Sequence, residues 1–193
     1  WARSLGDVAI MAGYFRDAFE EQVAALRPTG AFYTFCDGTS YAIFLCVTYP
    51  LFSRTQSIVW DKGSGGTGNG WRHGHELILH GALADTVYTP GFRIDVIDGK
   101  RVPSKDRWHQ SEKPEGIVGT LLDAHPVGVV LDPFVGGGTT LYVARARGWK
   151  AIGIDIDERN CEEIARRLAQ DVLPLTAPEP RPAPTQGMLP GAA

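Results

Sequence analysis

The segment from residue 127 to residue 155 constrains the fold more than any other part of the chain. The apolar run Val127–Leu131 leads to Asp132, to a turn with three consecutive glycines and to a helical pattern, and the next apolar strand ends at Asp155. The order strand, helix, strand, helix over residues 127–170 predicts parallel strands in a doubly wound α/β sheet. Glycines at such a turn let a ligand approach the backbone, and the start of the helix offers free N–H groups. The segment therefore predicts a ligand site.

The acids around these glycines indicate the charge of the ligand. The spacing differs from the Gly-x-Gly-x-x-Gly of dinucleotide sites, because Thr139 follows Gly138 directly. Asp132 would repel a pyrophosphate but attract a cation. S-adenosylmethionine carries a sulfonium and an α-amino group, so Asp132 favours it over a dinucleotide. Asp155 is placed to accept hydrogen bonds from two ribose hydroxyls.

This stretch resembles the cofactor motif of a known family. Residues 132–140 (DPFVGGGTT) are similar to the DPFxGSGTT motif of N6-adenine/N4-cytosine DNA methyltransferases, with Gly137 in place of the serine. Residues 109–114 (HQSEKP) resemble the HPxxKP motif that precedes it, and residues 57–62 with His75-Glu76 resemble a later hairpin. The resemblance covers about residues 1–170. It implies S-adenosylmethionine bound by Lys113, Pro114, Asp132, Phe134, Gly136, Gly138, Thr139, Thr140 and Asp155.

The same resemblance implies a circularly permuted, Rossmann-like methyltransferase fold in which the catalytic half comes first. The family's catalytic motif, Asp/Asn/Ser-Pro-Pro followed by an aromatic residue, does not occur in the sequence. Residues 26–36 resemble the segment that lies after this motif in the family, so Trp1 matches its aromatic residue, a remnant that would stack on a flipped base. We therefore expect an N-terminally truncated chain without the central catalytic strand and without activity. Strands 31–36 and 127–131 would then not be hydrogen-bonded to each other.

The implied activity is methyl transfer from S-adenosylmethionine to the exocyclic amino group of adenine (N6) or cytosine (N4) in double-stranded DNA. We expect one methyltransferase domain over residues 1–172. It divides into a catalytic half (1–83), a short basic linker or recognition segment (84–108) and a cofactor-binding half (109–172). Residues 173–193 are rich in proline, which predicts a disordered tail.

Two further function classes remain open: another nucleoside-cofactor enzyme, such as a dehydrogenase or a small-molecule methyltransferase, and a non-catalytic cofactor-binding module. Three cysteines without a Cys-x-x-Cys pair predict a cytoplasmic protein. No apolar run is long enough to span a membrane, and His73 and His75 lack a third ligand at metal spacing. The net charge of −3 argues against coating nucleic acid by bulk charge, but the basic stretch 92–113 and the glycine-rich loop 63–70 are candidate DNA contacts. No oligomeric state is predicted.

Apolar periodicity predicts the secondary structure. We expect helices over residues 7–26, 114–124, 139–147 and 158–170. Residues 41–52 fit a helix or a strand by pattern, and a short helix broken at Pro50 is preferred. Strands are expected over residues 31–36, 57–62, 75–80, 127–131 and 151–155.

Overall fold

The computed structural model describes residues 5–65, 69–103 and 112–170. It contains five α-helices within those ranges: α1 (Leu5–Ala24), α2 (Gly38–Thr48), α3 (Glu115–Leu122), α4 (Thr139–Ala146) and α5 (Glu158–Gln170). Its strands there are β1 (Ala31–Cys36), β2 (Arg54–Asp61), β3 (His75–Ala82), β4 (Val96–Asp98), β5 (Val129–Asp132) and β6 (Lys150–Gly153). Trp1, residues 109–111 and the tail 173–193 lie outside the described residues.

The described strands form two sheets rather than one. Four of them make a sheet in the order β1-β3-β2-β4, in which β3 runs antiparallel to both neighbours and β4 runs parallel to β2. The strands β5 and β6 pair in parallel, as their order in the sequence predicts. β1 and β5 each lie at a sheet edge and do not pair with each other, as expected.

β4 lies within residues 84–108, which the sequence predicts as a short basic linker or recognition segment. Its three residues pair with β2 from Val59↔Val96 to Asp61↔Asp98, so this segment is part of the first sheet. Three residues are too few to show an alternating pattern, and Val96 and Asp98 are both exposed. The strand is therefore defined by its partner β2 and not by its own sequence.

α1 and α2 cover one face of the first sheet with an aromatic core. Its buried members include Phe19, Phe32, Phe44, Phe52 and Leu79. α2 begins earlier than expected because the Asp37 carboxylate accepts a hydrogen bond from the Ser40 amide at 2.7 Å, which caps the helix. It also ends earlier, at Thr48, where a 3₁₀ turn (Tyr49–Leu51) that contains Pro50 follows.

α3 packs against both sheets and so joins the two halves. One buried cluster consists of Trp60, Ile78, Ile117 and Leu121, and a second consists of Val118, Leu122, Val143 and Ala144. α3 comes close to the C-terminal end of α4 at Gly119, where a Cβ would clash with the Arg147 guanidinium. Arg147 reaches across this glycine to Asp123, with Nε 2.9 Å from the carboxylate.

Two histidines and two tyrosines join β1 and β3 to the loops beside them. The Tyr33 hydroxyl lies 2.7 Å from Nε2 of His125, and the Tyr88 hydroxyl lies 2.7 Å from Nε2 of His80. Each Nδ1 lies near a main-chain carbonyl, at 3.2 Å for His80 and 2.8 Å for His125. Because a carbonyl only accepts, Nδ1 carries a proton, and in the neutral imidazole Nε2 accepts from the tyrosine hydroxyl. Burial is the main cause that lowers the pKa of His80 to about 4, and it also lowers the pKa of His125.

None of the helices in the described ranges combines the length and the apolar character needed to cross a membrane.

Candidate functional site

The glycine turn between β5 and α4 is fastened to the carboxyl end of β6. The amide of Val135 donates to the carbonyl of Ile154 at 3.0 Å, and the amide of Ile154 donates to the carbonyl of Asp132 at 2.9 Å. The amide of Gly136 donates to the Asp155 carboxylate at 2.9 Å. The structure therefore brings together the two acids and the glycine turn that the sequence predicts as one site.

Two of the turn's glycines have backbone conformations that disfavour a side chain. Gly136 has φ +47° and Gly138 has φ +83°, both in the left-handed region. A Cβ at Gly138 would also lie 2.8 Å from Ile164 of α5. α4 then begins at Thr139; the amides of Leu141 and Tyr142 donate to the carbonyl of Gly138, which leaves the amides of Thr139 and Thr140 as the donors of the first turn without an acceptor in the helix. The turn can thus bring backbone donors close to a ligand.

Asp155 is already largely occupied by hydrogen bonds within the protein. Its Oδ1 accepts from the amide of Asp157 at 2.9 Å and from the Asn160 side chain at 3.1 Å, while its Oδ2 accepts from Gly136. These donors, the Asp157 amide first, hold the pKa of Asp155 below its usual range, so the group is ionised. A carboxylate oxygen has two lone pairs, which leaves one free position, on Oδ2. Hydrogen bonds from two ribose hydroxyls, as the sequence predicts, would require one of the present donors to leave.

Asp132 keeps one oxygen free at the other side of the turn. Its Oδ1 accepts from the amide of Phe134 at 3.1 Å, and Oδ2 accepts nothing from the described residues. The Phe134 side chain is 66% exposed. An exposed ring beside a half-free carboxylate is an arrangement that suits a ligand with a positive charge and an apolar part.

Lys113 and Pro114 lie at the start of α3, next to the first sheet. The Lys113 ammonium is 2.7 Å from one oxygen of Glu76, and the Lys62 ammonium is 2.7 Å from the other. Burial raises the pKa of Glu76, but the hydrogen bonds from both lysines outweigh it, so the pKa lies below its usual value. Lys62 is 6% exposed, and Lys113 about a quarter. We call these three residues the lysine–glutamate cluster; it carries one net positive charge.

Neither Lys62 nor Glu76 was predicted as a site residue from the sequence. Both lie at the loop end of the β2–β3 hairpin, where Trp60 pairs with Glu76. In a hairpin, the residue directly after the first strand lies near the start of the second strand. Lys62 and Glu76 could therefore have been predicted as a pair once the hairpin was recognised. Their contact with Lys113, which is far away in the chain, was not.

The candidate DNA segments are only partly described. Residues 66–68 of the loop 63–70 and residues 104–111 of the basic stretch lie outside the described ranges. The Arg101 guanidinium of the basic stretch donates to the carbonyl of His73, three residues after the loop 63–70, at 3.4 Å. That both face the cofactor turn stays a prediction. Among the described residues, no three His, Cys, Asp or Glu side chains are grouped as metal ligands.

Comparison with known proteins adds a family match. The family model described as DNA methylase, for N6/N4 methyltransferases, matches residues 6–166. Type II methyltransferase M2.DpnII of Streptococcus pneumoniae is 27% identical over 151 residues, which cover 66% of this chain and 56% of that protein. M2.LlaDCHI of Lactococcus lactis subsp. cremoris is 37% identical over 79 residues, or 38% of this chain and 29% of that protein. The chain thus spans about half or less of these two relatives.

Solved structures match over most of the chain. TTHA0409 of Thermus thermophilus, complexed with S-adenosyl-L-methionine, is 20% identical with a TM-score of 0.71, covering 90% of this chain and 83% of that one. The PvuII cytosine-N4-specific DNA methyltransferase is 12% identical with a TM-score of 0.66, covering 85% and 78%. These matches confirm the predicted Rossmann-like methyltransferase fold.

Proposed function

Because the chain belongs to the N6/N4 DNA methylase family, we propose that it binds S-adenosylmethionine and serves methyl transfer to adenine N6 or cytosine N4 in double-stranded DNA. The family named from the sequence is thereby confirmed, and S-adenosylmethionine is that family's cofactor. The observation that carries the proposal is the pair of carboxylates, Asp132 and Asp155, on either side of the glycine turn. A dehydrogenase is disfavoured, because Asp132 would repel a pyrophosphate there.

The glycine turn fits the cofactor through both of its acids. The free oxygen of Asp132 would accept from the α-ammonium group, and the exposed Phe134 ring would pack against the methionine part. Gly136 and Gly138 would allow the close approach of the cofactor, and the free Oδ2 position of Asp155 would take one ribose hydroxyl. The first turn of α4, with Thr139 and Thr140, would supply N–H donors. When bound, S-adenosylmethionine provides an electrophilic methyl group.

Lys113 and Pro114 would serve the carboxylate end of the cofactor. The lysine–glutamate cluster keeps one positive charge after Glu76 has neutralised one lysine. That remaining charge suits a carboxylate, and Lys113 is the more exposed of the two lysines. Glu76 holds the ammonium of Lys113 in place and so would limit its loss of freedom on binding.

The target amine needs hydrogen-bond acceptors, because its lone pair is delocalised into the base and it is a poor nucleophile. In the family an Asp, Asn or Ser side chain and a proline carbonyl accept its hydrogens, while an aromatic ring stacks on the flipped base. This sequence contains no such tetrad. We therefore propose that Trp1 supplies stacking alone and that the 193-residue chain by itself transfers no methyl group.

Calorimetric titration of the chain with S-adenosylmethionine and, separately, with NAD tests the proposal. We expect S-adenosylmethionine to bind and NAD not to bind. Asp155→Ala should lower the affinity for S-adenosylmethionine at least about 10-fold, since a hydrogen bond to a charged group contributes about 1.5–3 kcal/mol. Asp17→Ala, an exposed acid on α1, is the matched control and should bind as the unchanged chain does.

The opposite results identify which part of the proposal fails. Binding of NAD alone would establish the dehydrogenase alternative. Unchanged affinity in Asp155→Ala would refute the ribose contact, with thermal unfolding of each variant showing that the fold is retained. Transfer of labelled methyl groups from S-adenosylmethionine to duplex DNA by this chain would refute the expected inactivity.

The remaining expectations are proposals as well. All three cysteines are free thiols in the structure, in keeping with a cytoplasmic location. The division of residues 1–172 into a catalytic half (1–83), a linker or recognition segment (84–108) and a cofactor-binding half (109–172) is likewise a proposal; residues 96–98 of the middle segment pair with β2.

A further inference from the structure

The β2–β3 hairpin presents a tryptophan wholly to solvent. Trp71 lies in the connection between the two strands, and its side chain is fully exposed. The strands pair as far as Asp61↔His75, and the amide of Lys62 donates to the carbonyl of Gly74 at 2.8 Å. Trp71 therefore lies beyond the carboxyl end of β2. A tryptophan usually buries about 150–250 Å² in a core or an interface, so a ring left in water indicates a contact surface.

The residue that follows this ring is the cation Arg72, and the exposed Asp61 at the end of β2 is an acid at the start of the same loop. The described residues 69–75 contain Arg72 and no acidic residue. The Arg101 guanidinium donates to the carbonyl of His73 in the same loop. The lysine–glutamate cluster, with its net positive charge, lies at the loop end of the hairpin. Such a surface suits a polyanion with flat apolar faces better than it suits an apolar surface or a neutral peptide.

The hairpin also lies beside the half that is expected to hold the cofactor. Lys113, directly before α3, contacts Glu76 at the start of β3. The loop extends from the carboxyl end of β2, and Lys62, which follows β2, contacts the same Glu76, so this edge of the first sheet lies beside Lys113. A nucleic acid that reaches the cofactor from that edge would pass the loop.

We propose that Trp71 stacks on an unpaired base, or fills the gap that an extruded base leaves, in DNA bound at this edge, and that Arg72 contacts a neighbouring phosphate. The inference rests on the proposed function, since DNA as partner comes from the family. An enzyme that works on an exocyclic amine must take the base out of the stack, which leaves an unstacked gap in the duplex. An exposed aromatic ring can fill such a gap whatever the sequence, because every base has a flat π face.

Fluorescence anisotropy on two labelled duplexes, one fully paired and one with a single abasic site, tests this in the full chain. Stacking predicts that Trp71→Ala loses between about 5-fold and about 150-fold in affinity for the abasic duplex, and less for the paired one. Trp71→Phe should keep most of the affinity. Arg72→Ala should lower the affinity for both duplexes to the same extent. It should also reduce the slope of affinity against salt concentration by about the amount that one phosphate contact contributes.

Tyr49→Ala provides the matched control. Tyr49 is a 70% exposed aromatic residue just before β2, at the opposite end of that strand from Trp71. The inference is overturned if Trp71→Ala and Tyr49→Ala have the same affinities, or if the loss in Trp71→Ala is equal on both duplexes. A chain that binds S-adenosylmethionine but neither duplex overturns the inference and leaves the cofactor proposal standing. A chain that binds neither cofactor nor DNA overturns both.

Discussion

Acid should destabilise this fold through His80. The side chain is 5% exposed, and its burial lowers its pKa from 6.5 to about 4 in the folded chain. Above pH 6.5 the imidazole is neutral in both states and its titration has no effect on stability. Between pH 6.5 and pH 4 the unfolded chain binds a proton that the folded chain does not, so the free energy of unfolding falls by about 1.4 kcal/mol per pH unit. The total loss is about 3 kcal/mol, and it levels off below about pH 4.

Urea unfolding at about pH 7 and about pH 4.5 measures this loss. His80→Gln removes the titration, so we expect the unchanged chain to lose about 2–3 kcal/mol more than the variant between the two pH values. Carboxylates with lowered pKa, such as Glu76 and Asp155, also cost stability in acid, but they do so in both proteins and cancel. His73→Gln, at an exposed position, is the control and should follow the unchanged chain. Parallel pH curves for the unchanged chain and His80→Gln would refute a neutral, buried His80.

Two substitutions test the packing around the site. Glu76→Gln leaves the buried Lys62 ammonium without its counter-charge and should lower the free energy of unfolding by about 3 kcal/mol. Glu163→Gln, in an exposed ion pair, is the control and should change it by less than about 0.5 kcal/mol. Equal effects of the two substitutions in urea unfolding would contradict the role of Glu76 in the cluster. Gly138→Ala forces a side chain into a left-handed conformation against Ile164 and should cost at least about 1–2 kcal/mol, and an unchanged thermal midpoint would show that the turn is conformationally free.

Sequence patterns predicted the strands, helices and turns whose structure depends mainly on their own residues. The aromatic strand of residues 31–36 is found with the expected bounds, and the strand–turn–helix order around Asp132 is found as well. The turn was predictable because its glycines and its acids are close together in the sequence. The start of α2 was missed because the Asp37 cap acts on a helix whose apolar pattern begins later.

Features that depend on distant partners were not predictable. β4 exists because β2 offers it hydrogen bonds, and the lysine–glutamate cluster joins residues 37 positions apart in the chain. The hydrogen bonds that occupy Asp155 come from Gly136 and from the start of α5, so the sequence showed the carboxylate but not how little of it is free. Periodicity carries no information about such contacts.

The position of α3 determines how the protein should come apart. Its Ile117 and Leu121 are buried against the first sheet, and its Val118 and Leu122 are buried against α4. Neither half can open without exposing one side of this single eight-residue helix. The two halves should therefore melt in one cooperative transition, and the amide protons of α3 should be among the last to exchange with deuterated solvent.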